Sequence, residues 1–395
     1  MDNFNLENKS NKINYIPISK QESKNKKFIK NNLEIIIIIV FILIFSLLIF
    51  FFIKEYISAN FLFEKHSLLS KSTFKLNKID EDFINDLKYI LKNEIILENE
   101  IMSKHTTFKI GGPAKVFVIP KTINQIIEII QLCNKYKVNY FILGNGSNLL
   151  VSDEGYYGVV IQINESNFRN LQVNKEDENN YTLIVGGGLL MKTLSIEACL
   201  LSLKGLEDII DIPGTVGGGI IMNVSFKGTG LIIPLRKVKI ITSEGKILEL
   251  TKEECKFIRR GSMLKDKKYI VIEAMFKLEK GDQMIIQKTM TDNTMKRYEK
   301  QPMYFGSAGS FFIWFHDKHG GLYKKYKECN LVGYRVGDVM IYTYNIGFIV
   351  NLGRGTASQV MEIVTHIEKI IKEKYQIEMK REVIVIGTIN DIEYY

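Results

Sequence analysis

Three glycine-rich segments follow one another between Leu143 and Gly219, each at the end of a run of strand-forming residues: Leu143-Gly144-Asn145-Gly146-Ser147-Asn148, Val185-Gly186-Gly187-Gly188 and Ile212-Pro213-Gly214-Thr215-Val216-Gly217-Gly218-Gly219. Glycine carries no Cβ, so amides at such turns can approach a phosphate and converge on it without cationic side chains. One such segment reads equally well as an ordinary turn. Three in one stretch point to a pocket that grips a pyrophosphate through the backbone. None matches the dinucleotide fingerprint that opens a βαβ unit, and none carries the lysine of a P-loop. The pocket is therefore of another type.

Short strands and helices alternate around these segments, an α+β pattern. Residues 114–120, 140–143, 159–163, 182–185 and 238–241 read as strands, and later 310–315, 347–351 and 383–386. Helical spacing appears over 81–91, 122–136, 189–203, 284–299, 321–328 and 357–374. A boundary near residue 280 divides the folded part into 79–280 and 281–395.

Ahead of it, Ile35 to Ile53 form 19 consecutive residues without a charge, about the length that crosses a bilayer. Lys54-Glu55-Tyr56 follows where a signal peptide would carry a small-residue cleavage site, so the run reads as an uncleaved anchor. It is preceded by a basic tail, 1–34, and followed by a polar linker, 54–78. Residues 1–78 hold 12 Lys against 6 acidic residues, which is +6 of the net +9. A charge excess gathered beside an apolar run suits a membrane surface and not a nucleic-acid groove. Lysines are denser before the run than after it, which by itself would place the C-terminal part outside. Cys133, Cys199, Cys255 and Cys329 are too scattered for a zinc site or a redox pair, and no metal is expected; they read as small hydrophobes.

The stretch Lys104-His105-Thr106-Thr107-Phe108-Lys109-Ile110-Gly111-Gly112-Pro113-Ala114, followed in order by the Gly-Asn-Gly-Ser-Asn and Ile-Pro-Gly-Thr-Val-Gly-Gly segments, closely resembles the UDP-N-acetylenolpyruvoylglucosamine reductase (MurB) family from about Leu76 to Gly387. The resemblance implies an FAD-binding part of the vanillyl-alcohol-oxidase type in two α+β lobes, with a C-terminal α+β part closing over a UDP-sugar. It implies NADPH as reductant and a cytoplasmic, monomeric catalytic part, which the apolar run outside the resemblance would anchor to the inner face of the plasma membrane, against the lysine bias. It assigns Gly144, Asn145, Gly146, Ser147, Asn148, Gly187, Gly188, Pro213, Gly214, Thr215, Gly217 and Gly218 to the flavin. Ser310, in Gly306-Ser307-Ala308-Gly309-Ser310, matches the family's proton donor. Arg260 matches the arginine that holds the substrate carboxylate, and Glu382 the glutamate that helps stabilise the intermediate. Arg259, Ser262 and Lys300 fall beside these motifs as substrate contacts, while Arg297 with Lys300 reads as a solvated charge run, with contact to the diphosphate as the alternative.

The short stretch after Leu278 resembles the compact branch of the family, which lacks an extra tyrosine-bearing loop. This chain departs from the family in four places. Ile313-Trp314-Phe315 stands where Lys-Asn-Pro is usual, and Tyr342-Thr343-Tyr344-Asn345 where Ser-x-x-His is usual. Arg259 replaces a tyrosine, and Val224-Ser225-Phe226-Lys227-Gly228 replaces Ala-Gly-Ala-Tyr-Gly. These changes bear on the nucleotide-sugar more than on the flavin. Trp314, the sole tryptophan, reads as core, with stacking on uracil as the alternative. A flavin oxidase of the same fold and a tethered non-catalytic homologue stay open as other readings.

Overall fold

The computed structural model describes residues 78–92, 94–226, 228–314, 321–389 and 392–394. The basic tail, the apolar run 35–53 and the linker up to Asn77 lie outside the described residues. Among the described residues no helix is long and apolar enough to cross a membrane.

The first lobe opens with α1 (Lys78–Leu91), whose Phe83, Ile84, Leu87 and Leu91 recur at helical spacing and are all buried. It continues through β1 (Ile95–Ile101), β2 (Pro113–Ile119), α2 (Ile123–Tyr136), β3 (Tyr140–Leu143), β4 (Leu149–Val151) and β5 (Tyr156–Gln162). The sheet order is β1-β2-β5-β3, with β1 antiparallel to β2 and both β2 and β3 parallel to β5. Helix α2 starts at a capping box: Thr122 Oγ1 accepts from the Gln125 amide, and the Gln125 side chain accepts from the Thr122 amide. Its Ile126, Ile129 and Cys133 pack with Val116, Val118, Val159 and Ile161 on one face of the sheet. Phe117 and Val160 point the other way, into a cluster with Leu149, Val151 and Ile386. Both faces are covered, which is why these strands read as apolar runs without alternation.

The second lobe comprises β6 (Leu171–Lys175), β7 (Asn180–Gly186), α3 (Met191–Leu200), β8 (Leu203–Lys204), α4 (Val216–Ile221), β9 (Ser225–Phe226), β10 (Thr229–Gly230), β11 (Leu235–Ile241), β12 (Ile247–Thr251), α5 (Met263–Asp266) and β13 (Ile270–Lys280). Its main sheet is antiparallel in the order β12-β11-β13-β7-β6. Helices α3 and α4 bury Leu194, Ala198, Val216 and Ile220 against Leu183, Val185, Ala274 and Phe276. Ile241, Ile270 and Ile272 instead join the α2 cluster, so the two lobes share a core.

The remainder runs α6 (Gln283–Lys300), α7 (Gly321–Glu328), β14 (Arg335–Val336), β15 (Val339–Ile341), β16 (Ile349–Asn351), α8 (Ala357–Tyr375), β17 (Ile384–Ile389) and β18 (Ile392–Tyr394). Helix α8 lays Val360, Ile363, Val364, Ile367 and Ile371 over Val339, Ile341 and Ile349. Its N-terminus is capped twice. Thr356 and Gln359 form a capping box, and Asp153 of the first lobe accepts from the amides of Ala357 and Ser358 at 2.7 and 2.9 Å. Strand β17 then returns to the first lobe and pairs parallel with β4, Ile384 opposite Leu149 and Ile386 opposite Val151.

The expected strand 310–315 does not form over its described part. Ser310 bridges to Phe348 and Phe312 to Arg381, so the chain changes partner within three residues. Gly309 at φ +80° precedes the change, and Phe311 and Phe312 are both buried with edge-to-face rings, which an alternating strand over one core would not allow. Trp314 packs against the C-terminal core, its ring so close to Gly347 that a Cβ there would lie 2.7 Å from Nε1. Cys133, Cys199 and Cys255 are buried and Cys329 half-buried, all as free thiols, and burial pushes Cys133 up to about 12.

Ile386 is fully buried where β17 enters the first lobe. Ile386→Ala is expected to cost about 2–5 kcal/mol, read as a lower midpoint of denaturant unfolding with an unchanged slope.

Candidate active site

A cavity of about 880 Å³ opens between the first two lobes and the segment after α6, near the top of the range for small-molecule sites, roughly 300–1,000 Å³. One wall is the loop from β3 to β4, residues 144–148, and beside it lie Pro213, Gly214 and Thr215 at the start of α4. Gly146 has φ +61°, and a Cβ there would sit 2.1 Å from the His105 carbonyl oxygen, so no other residue fits. Thr107 donates its amide to the Gly146 carbonyl at 3.1 Å, which fixes the loop from behind. The two loops are locked together: Ser147 Oγ donates to the Pro213 carbonyl at 2.8 Å, and a Cβ on Gly144 would come within 2.6 Å of Thr215 Oγ1. Thr215 Oγ1 is itself held, accepting from the Gly218 amide at 3.2 Å. The result is a concave wall of main chain and small polar side chains that leaves space where Cβ atoms would otherwise stand, with Asp211 just before it in the chain.

Gly187, Gly188 and Gly217 do not line this cavity. Gly187 donates its amide to Ile272, and a Cβ on it would lie 2.1 Å from the Val271 carbonyl oxygen. Gly188 is pressed against the Asn164 carbonyl and Gly217 against Val271 and Gly187. These three glycines serve close backbone packing. The middle glycine-rich segment therefore looked like a phosphate loop for a structural reason.

Ser310, Arg260 and Glu382 line the same cavity. Arg260 stands at the third position of a turn in which Ile258 and Gly261 exchange both backbone hydrogen bonds, and it adopts φ +59°. Two side chains anchor the turn to the end of α4: Asn223 Nδ2 donates to the Ile258 carbonyl at 2.8 Å, and Ser262 Oγ donates to the Ile221 carbonyl at 2.8 Å. Arg260 Nε then reaches Glu382 Oε1 at 3.2 Å. The main chain of Glu382 is tied on both sides. Its amide donates to the Phe311 carbonyl at 2.8 Å, next to Ser310, and its carbonyl accepts from Asn148 Nδ2 at 3.1 Å. Burial raises the Glu382 carboxyl above its usual value of 4.5, and the attraction of Arg260, Arg259 and Lys265 only partly offsets that. A carboxyl held toward its neutral form beside a fixed guanidinium can stabilise negative charge developing on a ligand by charge and by hydrogen bonding.

Arg259, Ser262 and Lys300 are not in the lining. Arg259 is exposed on the outer side of the turn, Ser262 is buried as the cap of α5, and Lys300 contributes its carbonyl to Asn345 Nδ2 at 3.1 Å. Arg297, one turn earlier on α6, does line the cavity and is buried. Nearby Asp211 is pushed up by desolvation, but hydrogen bonds from Lys192 and Thr294 prevail and hold it below the usual carboxylate value. Lys109, Met222, Tyr304, Phe305 and Asn345 also face the cavity, and sequence reasoning did not single them out as contacts. Lys109 carried a signal within the Thr107-Phe108-Lys109 motif, where it takes φ +58°, and Asn345 one within the departing segment Tyr342-Thr343-Tyr344-Asn345.

Residues 114–251 match the model of an FAD binding domain, and 301–386 match that of the UDP-N-acetylenolpyruvoylglucosamine reductase C-terminal domain. UDP-N-acetylenolpyruvoylglucosamine reductases of Alkaliphilus metalliredigens and Lachnoclostridium phytofermentans are 37% and 36% identical to the chain, over 78% and 77% of it and 99% and 97% of their own lengths. The chain belongs to the UDP-N-acetylenolpyruvoylglucosamine reductase family. The crystal structure of that reductase from Thermus caldophilus superposes with a TM-score of 0.61 at 29% identity, over 74% of this chain and 98% of that one. The cofactor is accordingly FAD, and the concave glycine wall fits its diphosphate.

The raised Glu382 carboxyl has a pH consequence. Between the unfolded value near 4.5 and its folded value, the native state binds more protons than the unfolded state, so this residue's contribution to stability falls as pH rises through that window. Glu382→Gln should remove that contribution, so the stability difference between wild type and variant should change with pH across the window. Urea unfolding at stepped pH measures it, and parallel profiles would count against the assignment.

Proposed function

We propose that the chain reduces UDP-N-acetyl-3-O-(1-carboxyvinyl)glucosamine to UDP-N-acetylmuramate in peptidoglycan precursor synthesis, with FAD as resident cofactor and NADPH as reductant. The observation that supports this is one cavity with a glycine wall on one side and Ser310, Arg260 and Glu382 on the other. Residues 144–148, 213–215 and 218 would hold FAD, which when bound supplies a hydride, taken from NADPH, to the enolpyruvyl methylene carbon. Hydride addition there drives the alkene electron pair toward the substrate carboxylate and leaves an enediolate-like anion. Arg260 offers its guanidinium to the carboxylate oxygens, and Glu382, kept toward its protonated form by burial, donates a hydrogen bond to the same group. The Ser310 hydroxyl then delivers a proton to the adjacent carbon; a weak acid suffices because that carbon is carbanion-like.

The flavin part is taken as 79–280 in two lobes of the vanillyl-alcohol-oxidase type and the substrate part as 281–395. The direct passage from β13, ending at Lys280, into α6, beginning at Gln283, supports the compact branch of the family. Residues 35–53 are proposed to tether a monomeric catalytic part to the inner face of the plasma membrane, where NADPH and UDP-sugars are present. Membrane fractionation with mass spectrometry of the native N-terminus tests the tether, which a protein recovered wholly in the soluble fraction would rule out.

Purified protein is expected to be yellow. In anaerobic stopped-flow, the enolpyruvyl nucleotide should reoxidise the reduced flavin far faster than oxygen does. Ser310→Ala should slow that step by roughly 10²–10⁴-fold while leaving reduction by NADPH within about twofold. Protein that stays colourless after addition of FAD would end the proposal, and faster reoxidation by oxygen would favour an oxidase.

A further inference from the structure

We infer that Lys109 supplies the cation that neutralises the diphosphate of FAD at the glycine wall; this rests on the reading of residues 144–148 and 213–215 as the flavin loops and adds the full charge that those loops lack. Main-chain amides offer partial positive charge, whereas a diphosphate brings full negative charge into a cavity shielded from bulk water, where an unbalanced charge is unfavourable. The charged residues of the lining are Lys109, Asp211, Arg260, Arg297 and Glu382. Arg260 pairs with Glu382 at 3.2 Å, and Asp211 pairs with Lys192 at 2.7 Å and is faced by Arg297. Lys109 has no ion-pair partner among the described residues.

The turn that presents Lys109 is fixed on both sides. Phe108 and Ile110 are buried in the C-terminal core, while Lys109 between them is exposed and lines the cavity. Thr106 Oγ1 donates to the Ile110 carbonyl at 3.1 Å, and Lys109 donates its amide to the Thr106 carbonyl at 3.3 Å. Asn351 Nδ2, buried at the end of β16, donates to the carbonyls of Phe108 and Lys109 at 3.1 and 3.3 Å. Lys109 is thereby held at φ +58°, a conformation that disfavours a side chain and that glycine adopts freely. A lysine kept at such a position, with its two neighbours packed and its own side chain in the cavity, serves the cavity and not the fold. Two residues back, Thr107 donates its amide to the Gly146 carbonyl at 3.1 Å, so the lysine leaves the chain beside the loop that grips the phosphates. Its flexible stem carries a compact charge, which suits a diphosphate already oriented by amides.

Dilution of the full-length, FAD-loaded protein, followed by flavin fluorescence, gives the FAD dissociation constant. Lys109→Gly removes the charge and suits φ +58°, so folding is not put at risk. It should raise that constant about ten- to hundredfold and flatten its dependence on salt, and Lys109→Arg should bring it back to within about fivefold of wild type. The midpoint potential of the bound flavin should hold, since the diphosphate is the same in both redox states. An unchanged constant in Lys109→Gly, a loss that Lys109→Arg does not repair, or a shifted potential at unchanged affinity, which would put the charge at the ring, would each overturn the assignment. Gly218→Val, which builds a side chain into the wall itself, separates this from the reading beneath it. If Gly218→Val weakens FAD and Lys109→Gly does not, the wall stands and the role of the lysine falls; if neither weakens it, both fall.

Discussion

The site depends on one hydrogen-bonded seam. Asn148, the last residue of the first glycine loop, donates its side chain to the Glu382 carbonyl and accepts from the Ile384 amide, and the parallel pairing of β4 with β17 continues from there. On the other side of the same short segment, Glu382 donates to Phe311. The first glycine loop, the segment that carries Glu382 and the serine segment are thus joined by successive hydrogen bonds. Substantial movement of one of these groups alone would break bonds at both its ends, in a setting where unpaired main-chain groups are costly.

Arg260 enters from a different lobe, and its placement has an energetic cost. A non-glycine residue at φ +59° is disfavoured, and the two anchors from Asn223 and Ser262 are what keep the turn in that form. Strain of this kind fixes where the guanidinium sits before any ligand arrives. Burial also raises the Glu382 carboxyl above its ordinary value, against the pull of Arg260. The cavity is therefore electrostatically prepared on one wall and shaped on the other, and neither property requires large side-chain rearrangement.

Much of this was legible in the residues. Apolar helical spacing announced the helices by local chemistry, and the ordered motifs grouped Ser310, Arg260 and Glu382 before they met in space. What was not legible came from long-range contacts. Gly187 and Gly188 resemble phosphate-loop glycines in composition, and only the carbonyls of Val271 and Asn164 show the close backbone packing they serve. Ser310 to Trp314 has the composition of a strand, yet its bonds are divided between Phe348 on one side and Lys380 and Arg381 on the other. Lys300 and Arg297 lie one turn apart on one helix, and nothing local says which of them the cavity will take.

The return of β17 to β4 also bears on how the molecule comes into being. Asn148 and Glu382 are separated by 234 residues along the chain, and closing so long a loop must precede any gain from the contacts it makes. Chains emerge from the ribosome N-terminus first, so the Asn148 loop is made well before the segment that ties it down. The first glycine loop therefore reaches its final hydrogen bonding only after Glu382 has been made, later than the rest of its own lobe.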